Sequence, residues 1–179
     1  TTVLHCDQVF DAKRGKLTGE MTLVIEDGRI KAMSAGHSDP AGGVARTINL
    51  KGMTCLPGLI DSHVHLTGET SPTGYTDQFR WNVADYAIRS TVYARRTLEA
   101  GFTTVRNLGS EDWNDVGLQQ AIDEGKVVGP RIVPAGMAFG ATGGHFASVV
   151  SVERLRRLNP WMGMAYHTLS IMRPTIEIV

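Results

Sequence analysis

The sequence predicts an α/β fold, in which a small module of β-strands is followed by alternating strands and helices. Short runs rich in β-branched residues, separated by turn residues, occupy residues 1–53, which is typical of strands. After residue 53 the pattern becomes strand, helix, strand, helix, strand. That order favours a parallel sheet with right-handed crossovers.

The first module is predicted from four apolar runs and the turns between them. Asp27-Gly28 lies between two of these runs and is a strong hairpin signal, because glycine tolerates a positive φ. No helical period occurs in this part of the chain, so we expect a small antiparallel module. The predicted strands cover residues 2–6, 21–25, 30–33 and 46–50.

The second part is predicted from helical periodicity between strands. Apolar and small residues recur at spacings of three and four over residues 84–98, which indicates a helix that ends before Gly101. We expect Asp115 to cap a second helix that ends near Gly125. Strands are predicted at 59–66, 102–105 and 131–133. Pro134 disfavours a central position in the sheet for the last of these strands, because proline donates no backbone hydrogen bond.

Charge and hydropathy exclude several functional classes. The 179 residues hold 18 Lys and Arg against 18 Asp and Glu, so the formal net charge is zero. Proteins that bind nucleic acid or membrane surfaces carry a basic excess, so neither partner is expected. No apolar run approaches the ~20 residues that span a bilayer.

The N-terminal residues and the cysteines bear on the compartment. No signal-peptide pattern is present, so we expect a cytoplasmic protein; the alternative is a periplasmic or secreted one if a leader was removed before Thr1. Cys6 and Cys55 are too few for a disulfide framework, and their apolar surroundings predict buried structural thiols.

The motif that carries chemistry is Asp61-Ser62-His63-Val64-His65 in the first strand of the second part. Residues two apart in a strand point the same way, so Asp61, His63 and His65 are expected to share a face. Two imidazoles there can bind one divalent ion, and zinc tolerates few protein ligands. We predict His63 and His65 as metal ligands and Asp61 as a hydrogen-bond partner of a ligand imidazole. Two solvent-facing histidines on a strand are the alternative explanation.

Residues 56–65 resemble the first-strand motif of the metal-dependent amidohydrolase superfamily. Residues 101–106 resemble its second barrel strand. Residues 129–132, 142–145 and 159–161 are similar to the branch that holds prolidase-like Xaa-Pro and Xaa-Arg dipeptidases and imidazolonepropionase-like proteins.

The resemblance implies a fold and its limits. Residues 1–53 would form a small β-sandwich module, and residues 54–163 the first three βα units of an incomplete TIM-type (β/α)8 barrel, the N-terminal part of the amidohydrolase barrel. Residues 164–179 do not resemble the family and are a divergent tail, as in a truncation or frameshift product. A complete barrel needs about 250 residues, so the chain is an N-terminal fragment of the fold.

The resemblance also implies a chemistry. Members of this branch usually hold two zinc ions, bridged by a carboxylated lysine, with two further histidines and a catalytic aspartate from later strands. His63 and His65 match the first two ligands, but no lysine follows Lys126. The family function is hydrolysis of amide or peptide C–N bonds, here expected to be dipeptides. We assign no catalytic residue and expect the isolated chain to be inactive.

The remaining histidines have either a binding or a structural explanation. His145 follows two glycines in a loop that the family places at the mouth of the active site, so it is a candidate for binding a substrate carboxylate; a flexible loop histidine is the alternative. His5, His37 and His167 have no spacing partner and are expected to be structural or exposed.

Two further functions remain open at this level. One is a non-catalytic module that associates with another chain, and the other is a cyclic amidase or deaminase of the same superfamily. The expected partner is a small peptide or amide substrate. Three parallel strands cannot close a barrel, so the isolated chain is expected to self-associate through an open strand edge.

Overall fold

The computed structural model describes residues 1–40, 42–44, 46–77 and 79–138. The chain separates into two compact units, the first being Thr1–Gly58 and the second beginning at Leu59. The sequence predicts domains that divide after residue 53, and that division remains a prediction about the complete fold.

The first unit is a mixed sheet. Its strands follow the order β2-β1-β3-β4, and β5 also pairs with β1. β1 is antiparallel to β2 and β3 but parallel to β5, so the expectation of a purely antiparallel module is wrong. The hairpins reverse the chain, whereas the longer connection between β4 and β5 returns it in the direction of β1. The bounds are β1 Thr2–Asp11, β2 Lys16–Leu17, β3 Met21–Glu26, β4 Arg29–Ala35 and β5 Arg46–Cys55.

The hairpin between β3 and β4 is the predicted one. Glu26 pairs with Arg29 across a two-residue loop. Asp27 and Gly28 have φ angles of 49° and 71°, the positive values that a tight two-residue hairpin requires at both central positions.

Cys6 and Cys55 form a disulfide, so the prediction of free buried thiols is wrong. The two cysteines lie on adjacent strands, β1 and β5, with Cα atoms 5.9 Å apart and a sequence separation of 49. The parallel β1–β5 pairing brings them together, and no local pattern in the sequence encodes that pairing. Cys6, Val9 and Leu23 form the buried core of this unit.

The second unit alternates strands and helices as predicted. In the described part of this unit, three strands are parallel and lie in the order β6-β7-β8. Pro134 is the last residue of β8, so its missing N–H falls at a strand end, and the short helix α1 was not predicted. The bounds are β6 Leu59–Val64, α1 Gly74–Asp77, α2 Val83–Glu99, β7 Phe102–Asn107, α3 Asn114–Asp123 and β8 Arg131–Pro134.

The helix ends follow the expected chemistry with one exception. Gly101 and Gly125 follow α2 and α3 with φ angles of 96° and 71°, as glycines do after helix C-termini. Asn82 caps α2 and forms a capping box with Asp85. Asp115 was predicted to cap α3, but the cap position is Trp113 and the Asp115 side chain is used in a buried network instead.

The helices cover one face of the three-stranded sheet. The buried cluster contains one residue from each of α2, β7, α3 and β8 and one residue just after β6. These residues are Leu66, Ala94, Val105, Leu118 and Ile132. Neighbouring strand positions, such as Arg106 and Arg131, are exposed. Among the described helices, none combines the length and apolar character needed to cross a membrane.

Candidate metal centre

The candidate site lies where the three parallel strands of the second unit end. Val64 of β6 pairs with Asn107 of β7, and Asn107 pairs with Pro134 of β8. Because the strands are parallel, the segments that follow them emerge at one edge of the sheet. His65 is the first residue beyond β6, so it lies at this edge.

The structure brings His63 and His65 together. Their ring centroids are 5.5 Å apart in an edge-to-face arrangement, and both side chains are exposed. Two accessible imidazoles this close offer two nitrogen ligands to one ion. Among the described residues no third histidine, cysteine or carboxylate completes a ligand group with them.

The side chain of Asp61 bonds to the backbone of the segment that carries the two histidines. Its Oδ1 accepts a hydrogen bond of 2.9 Å from the N–H of His63. The β6–β7 register shifts between Asp61 and Val64, which interrupts the strict alternation that the sequence predicts over the motif. Asp61 pairs in register with Val105, a buried residue. Asp61 therefore fixes the backbone that carries His63.

The ring of His65 is held by a backbone carbonyl. Its Nδ1 lies 3.3 Å from the oxygen of Gly109. A carbonyl oxygen only accepts, so this contact requires the proton on Nδ1 and leaves the lone pair on Nε2. Histidines that bind metals usually donate their other ring N–H to such a group, so His65 fits a metal ligand.

Asn107 links the strand ends behind these histidines. Its Oδ1 accepts from the backbone N–H of Leu66 at 2.7 Å. Its Nδ2 donates to the Gly109 oxygen at 3.0 Å and to Asp115 Oδ2 at 3.1 Å. The side chain is fully buried, so all these bonds form away from water.

Asp115 is the centre of this network and is 0 % exposed. Besides Asn107, its carboxylate accepts from Ser110 Oγ at 2.8 Å and from three backbone N–H groups. Those N–H groups belong to Val116, Ala135 and Gly136. A buried carboxylate is tolerated when several donors replace its hydration. One feature of the sequence points to this network, namely the polar residue Asn107 at the end of an apolar strand. Its partners could not be predicted, because the network joins residues that are far apart in the chain.

A second group of candidate ligands lies in the first unit. Asp7, Glu20 and His37 place their ligand atoms within 4.8 Å of one another, although His37 was expected to have no partner. His37 Nε2 lies 3.1 Å from the oxygen of Cys6 and donates to it, and Asp7 Oδ2 accepts from Gly52 N–H at 2.7 Å. Two of the three side chains, His37 and Asp7, therefore already form hydrogen bonds to the backbone of the sheet. This agrees with the structural role expected for His37.

Some predicted residues lie outside the part of the chain that the structure describes. These are His145, His167, the motif at 159–161 and the tail at 164–179. The roles proposed for them rest on the sequence alone.

The second unit matches a known family. Residues 54–166 match the model of the amidohydrolase family, which is more than half of the 179 residues. The match includes both histidines of the candidate site.

Individual relatives agree with the family match. An enamidase of Eubacterium barkeri is 33% identical over 91 residues, which cover 50% of this chain and 20% of the relative. A dihydroorotase of Syntrophus aciditrophicus (strain SB) is 43% identical over 53 residues, 28% of this chain and 12% of the relative.

The fold matches as well. The crystal structure of a Xaa-Pro dipeptidase with methionine bound in its active site superposes with a TM-score of 0.72 at 32% identity. The match covers 80% of this chain and 35% of the dipeptidase chain. The chain therefore spans about a third or less of the lengths of these relatives.

Proposed function

The chain belongs to the amidohydrolase family, and from this premise we propose that it supplies the first metal-binding strand of an enzyme that hydrolyses carbon–nitrogen bonds. The observation that carries the proposal is the pair His63 and His65 at the strand end, with Nε2 of His65 left free by the contact to Gly109. Active sites of βα barrels lie at the carboxyl ends of the strands. The position of the pair supports a catalytic rather than a structural site.

His63 and His65 are the proposed ligands of a zinc ion, and a second ion is proposed for the complete fold. When bound, the metal supplies Lewis-acid polarisation of the scissile carbonyl and lowers the pKa of water. The chain's own groups orient the ligands. Asp61 holds the backbone of His63, and the Gly109 carbonyl keeps the proton of His65 on Nδ1.

The proposed architecture follows the family fold. Residues 1–53 form its small β-sandwich module, and residues 54–163 form the first three βα units of the barrel. Residues 164–179 are a divergent tail. Neither a lysine nor an aspartate follows Lys126, so the bridging lysine and the catalytic aspartate of the family have no counterpart in this sequence.

The proposed substrate class is a dipeptide. Similarity to the Xaa-Pro dipeptidase over 80% of this chain supports it, and His145 is the proposed contact to the substrate carboxylate. The alternative is a cyclic amidase, which the 43% identity to a dihydroorotase favours over a short stretch. A deaminase and a non-catalytic module that associates with another chain are the remaining alternatives.

The compartment is proposed from the cysteines. A cytoplasmic location is the expectation from the sequence. The Cys6–Cys55 disulfide favours the periplasmic or secreted alternative, because disulfides persist in oxidising compartments and are rare in the cytosol. No nucleic-acid or membrane partner is proposed, given the zero net charge.

The test compares this chain with a longer product of the same gene. Xaa-Pro and Xaa-Arg dipeptides are incubated with each protein and zinc, and released amino acids are measured. We expect turnover only by the longer product, and a loss of more than about 100-fold in its His63→Ala and His65→Ala variants, since removing a ligand exceeds the effect of removing its support. His37→Ala is the control and should keep full activity.

Two results would overturn the proposal. One is a longer product that hydrolyses neither dipeptides nor cyclic amides in the presence of zinc. The other is turnover that survives both His63→Ala and His65→Ala. Turnover by the 179-residue chain alone would contradict the proposed inactivity of this chain.

A further inference from the structure

We propose that the buried carboxylate of Asp115 positions His65 for metal binding, acting through Asn107 and the carbonyl of Gly109. Asp115 is a positioning residue here, since its carboxylate bonds to Asn107 and not to His63 or His65. The inference rests on the proposed function, because it takes His65 to be a metal ligand. Its structural part, control of the His65 ring, stands on the hydrogen bonds of the network.

The first step is the carbonyl of Gly109, which accepts two hydrogen bonds. One comes from His65 Nδ1 at 3.3 Å and the other from Asn107 Nδ2 at 3.0 Å. The orientation of that oxygen therefore decides whether Nδ1 keeps its proton. If the oxygen turned away, the ring would lose the contact that selects the tautomer.

The second step is the orientation of the Asn107 amide. Its oxygen accepts from Leu66 N–H at 2.7 Å, and its nitrogen donates to Asp115 Oδ2 at 3.1 Å. A flipped amide would set its NH2 group against the N–H of Leu66 and its oxygen against the carboxylate. Asp115 thus selects the one orientation in which Asn107 also donates to Gly109.

The third step is the restraint on the backbone at Gly109. This residue has a φ of 139°, and a Cβ built on it would lie 2.7 Å from the Cβ of Ala138. The next residue, Ser110, donates its N–H to the Gly136 oxygen at 3.0 Å. The segment that presents the carbonyl to His65 is therefore packed closely on the residues that follow β8.

The fourth step is the choice of a variant that removes the acceptor of the Asn107 amide. The Asp115 carboxylate accepts from five donors, and two of them, Ala135 N–H and Gly136 N–H, bond to the same oxygen as Asn107. An asparagine could keep its oxygen at that position and still accept from Asn107, so Asp115→Asn does not test the proposal. Asp115→Ala removes both oxygens, so the Asn107 amide loses this acceptor.

The experiment reads the tautomer of His65 directly. Nitrogen NMR of ring-labelled histidine is recorded on the metal-free 179-residue chain at alkaline pH, where imidazoles are neutral. The signal is assigned by its loss in His65→Gln. We expect the Nδ1–H tautomer in the wild type and a mixture with the Nε2–H tautomer in Asp115→Ala. Zinc affinity, measured against a competing chelator, should fall about tenfold in the same variant.

Two further variants separate positioning from general support of the fold. Ser110→Ala removes a donor to Oδ1 of Asp115 but leaves the hydrogen bonds of Asn107, so the tautomer should stay as in the wild type. Asn107→Ser removes the hydrogen bond to Gly109 and keeps the other four donors to Asp115, so it should shift the tautomer as Asp115→Ala does. It also serves if Asp115→Ala does not fold.

An unchanged Nδ1–H tautomer in folded Asp115→Ala or Asn107→Ser would overturn the inference and leave Asp115 a purely structural residue. An equal tautomer shift in Ser110→Ala would overturn it too. Failure of the proposed function has a different signature, namely zinc binding that ignores His63→Ala while the wild-type tautomer is still Nδ1–H.

Discussion

At the residue scale, the sequence predicts the two proposed metal ligands but not the residues that hold them in place. The proximity of His63 and His65 can be predicted from the motif, because residues two apart in a strand are neighbours in the sequence. The support of His65 by Gly109, Asn107 and Asp115 was not predicted. It depends on β7, α3 and the end of β8 meeting, and Asp115 looked like a helix cap when only its neighbours were considered.

Gly109 gives the sharpest single-residue prediction. Gly109→Ala places a side chain at a φ of 139° and against Ala138, so we expect a loss of about 1–3 kcal/mol in unfolding free energy. Weaker zinc binding should accompany it, because the carbonyl moves away from His65. Denaturant unfolding and zinc titration measure the two effects.

The matched control for Gly109 is Gly117 in α3, where an added Cβ meets nothing within 4 Å. Gly117→Ala should stabilise the chain by about 0.5–1 kcal/mol, because alanine favours a helix interior. Equal effects of the two substitutions would show that the geometry at Gly109 does not matter.

At the element scale, the sequence predicts the elements with a clear period, the β3–β4 hairpin and the parallel strands of the second unit. It does not predict the parallel pairing of β1 with β5. α2 is predicted from apolar spacings of three and four. β2 is only two residues long, which is too short for a strand period to be recognised. The parallel β1–β5 ladder and the disulfide across it depend on contacts between distant parts of the chain. Local propensity contains no information about such contacts.

The disulfide predicts a redox-dependent stability. Closing a loop of 49 residues restricts the unfolded chain, which is typically worth about 2–4 kcal/mol. Adding a reductant should therefore lower the unfolding free energy of the wild type by that amount, as measured by denaturant titration. The double variant Cys6→Ala/Cys55→Ala should not respond to the reductant, and a wild type that does not respond either would contradict the pairing.

The capping box of α2 makes a second prediction at this scale. Asn82 accepts from the N–H groups of Ala84 and Asp85 at 2.9 and 3.3 Å. Asn82→Ala should cost about 1 kcal/mol in unfolding free energy, the usual value for a lost cap. Gln120→Ala, at an exposed position in α3, is the control, and it should change stability by less than about 0.5 kcal/mol. A cap variant as stable as this control would contradict the assigned helix start.

At the scale of the whole molecule, the chain spans a fraction of its relatives, and the second unit exposes apolar side chains. Ile60 of β6 is 73% exposed and Val133 of β8 is 50% exposed. Exposed apolar strands pair readily with other chains. Self-association is an expectation from the sequence, since the three predicted parallel strands cannot close a barrel.

We therefore expect the isolated chain to self-associate, and light scattering at increasing concentration measures this. Val133→Lys should reduce the association, because a charge on β8 opposes pairing. Lys31 lies on an exposed strand of the first unit, and Lys31→Glu is the control that should leave association unchanged. A compact, cooperatively melting monomer with slow hydrogen exchange over residues 102–108 and 131–135 would contradict the prediction.

The central claim is that His63 and His65 form an incomplete metal centre, and an equilibrium zinc titration against a competing chelator tests it most directly. Two ligands of the usual four should give an affinity no better than about micromolar. Binding should disappear in His63→Ala and persist in His37→Ala. Zinc binding unchanged by His63→Ala would contradict the claim, and so would a nanomolar site lost in that variant, which would mean that another residue of this chain completes it.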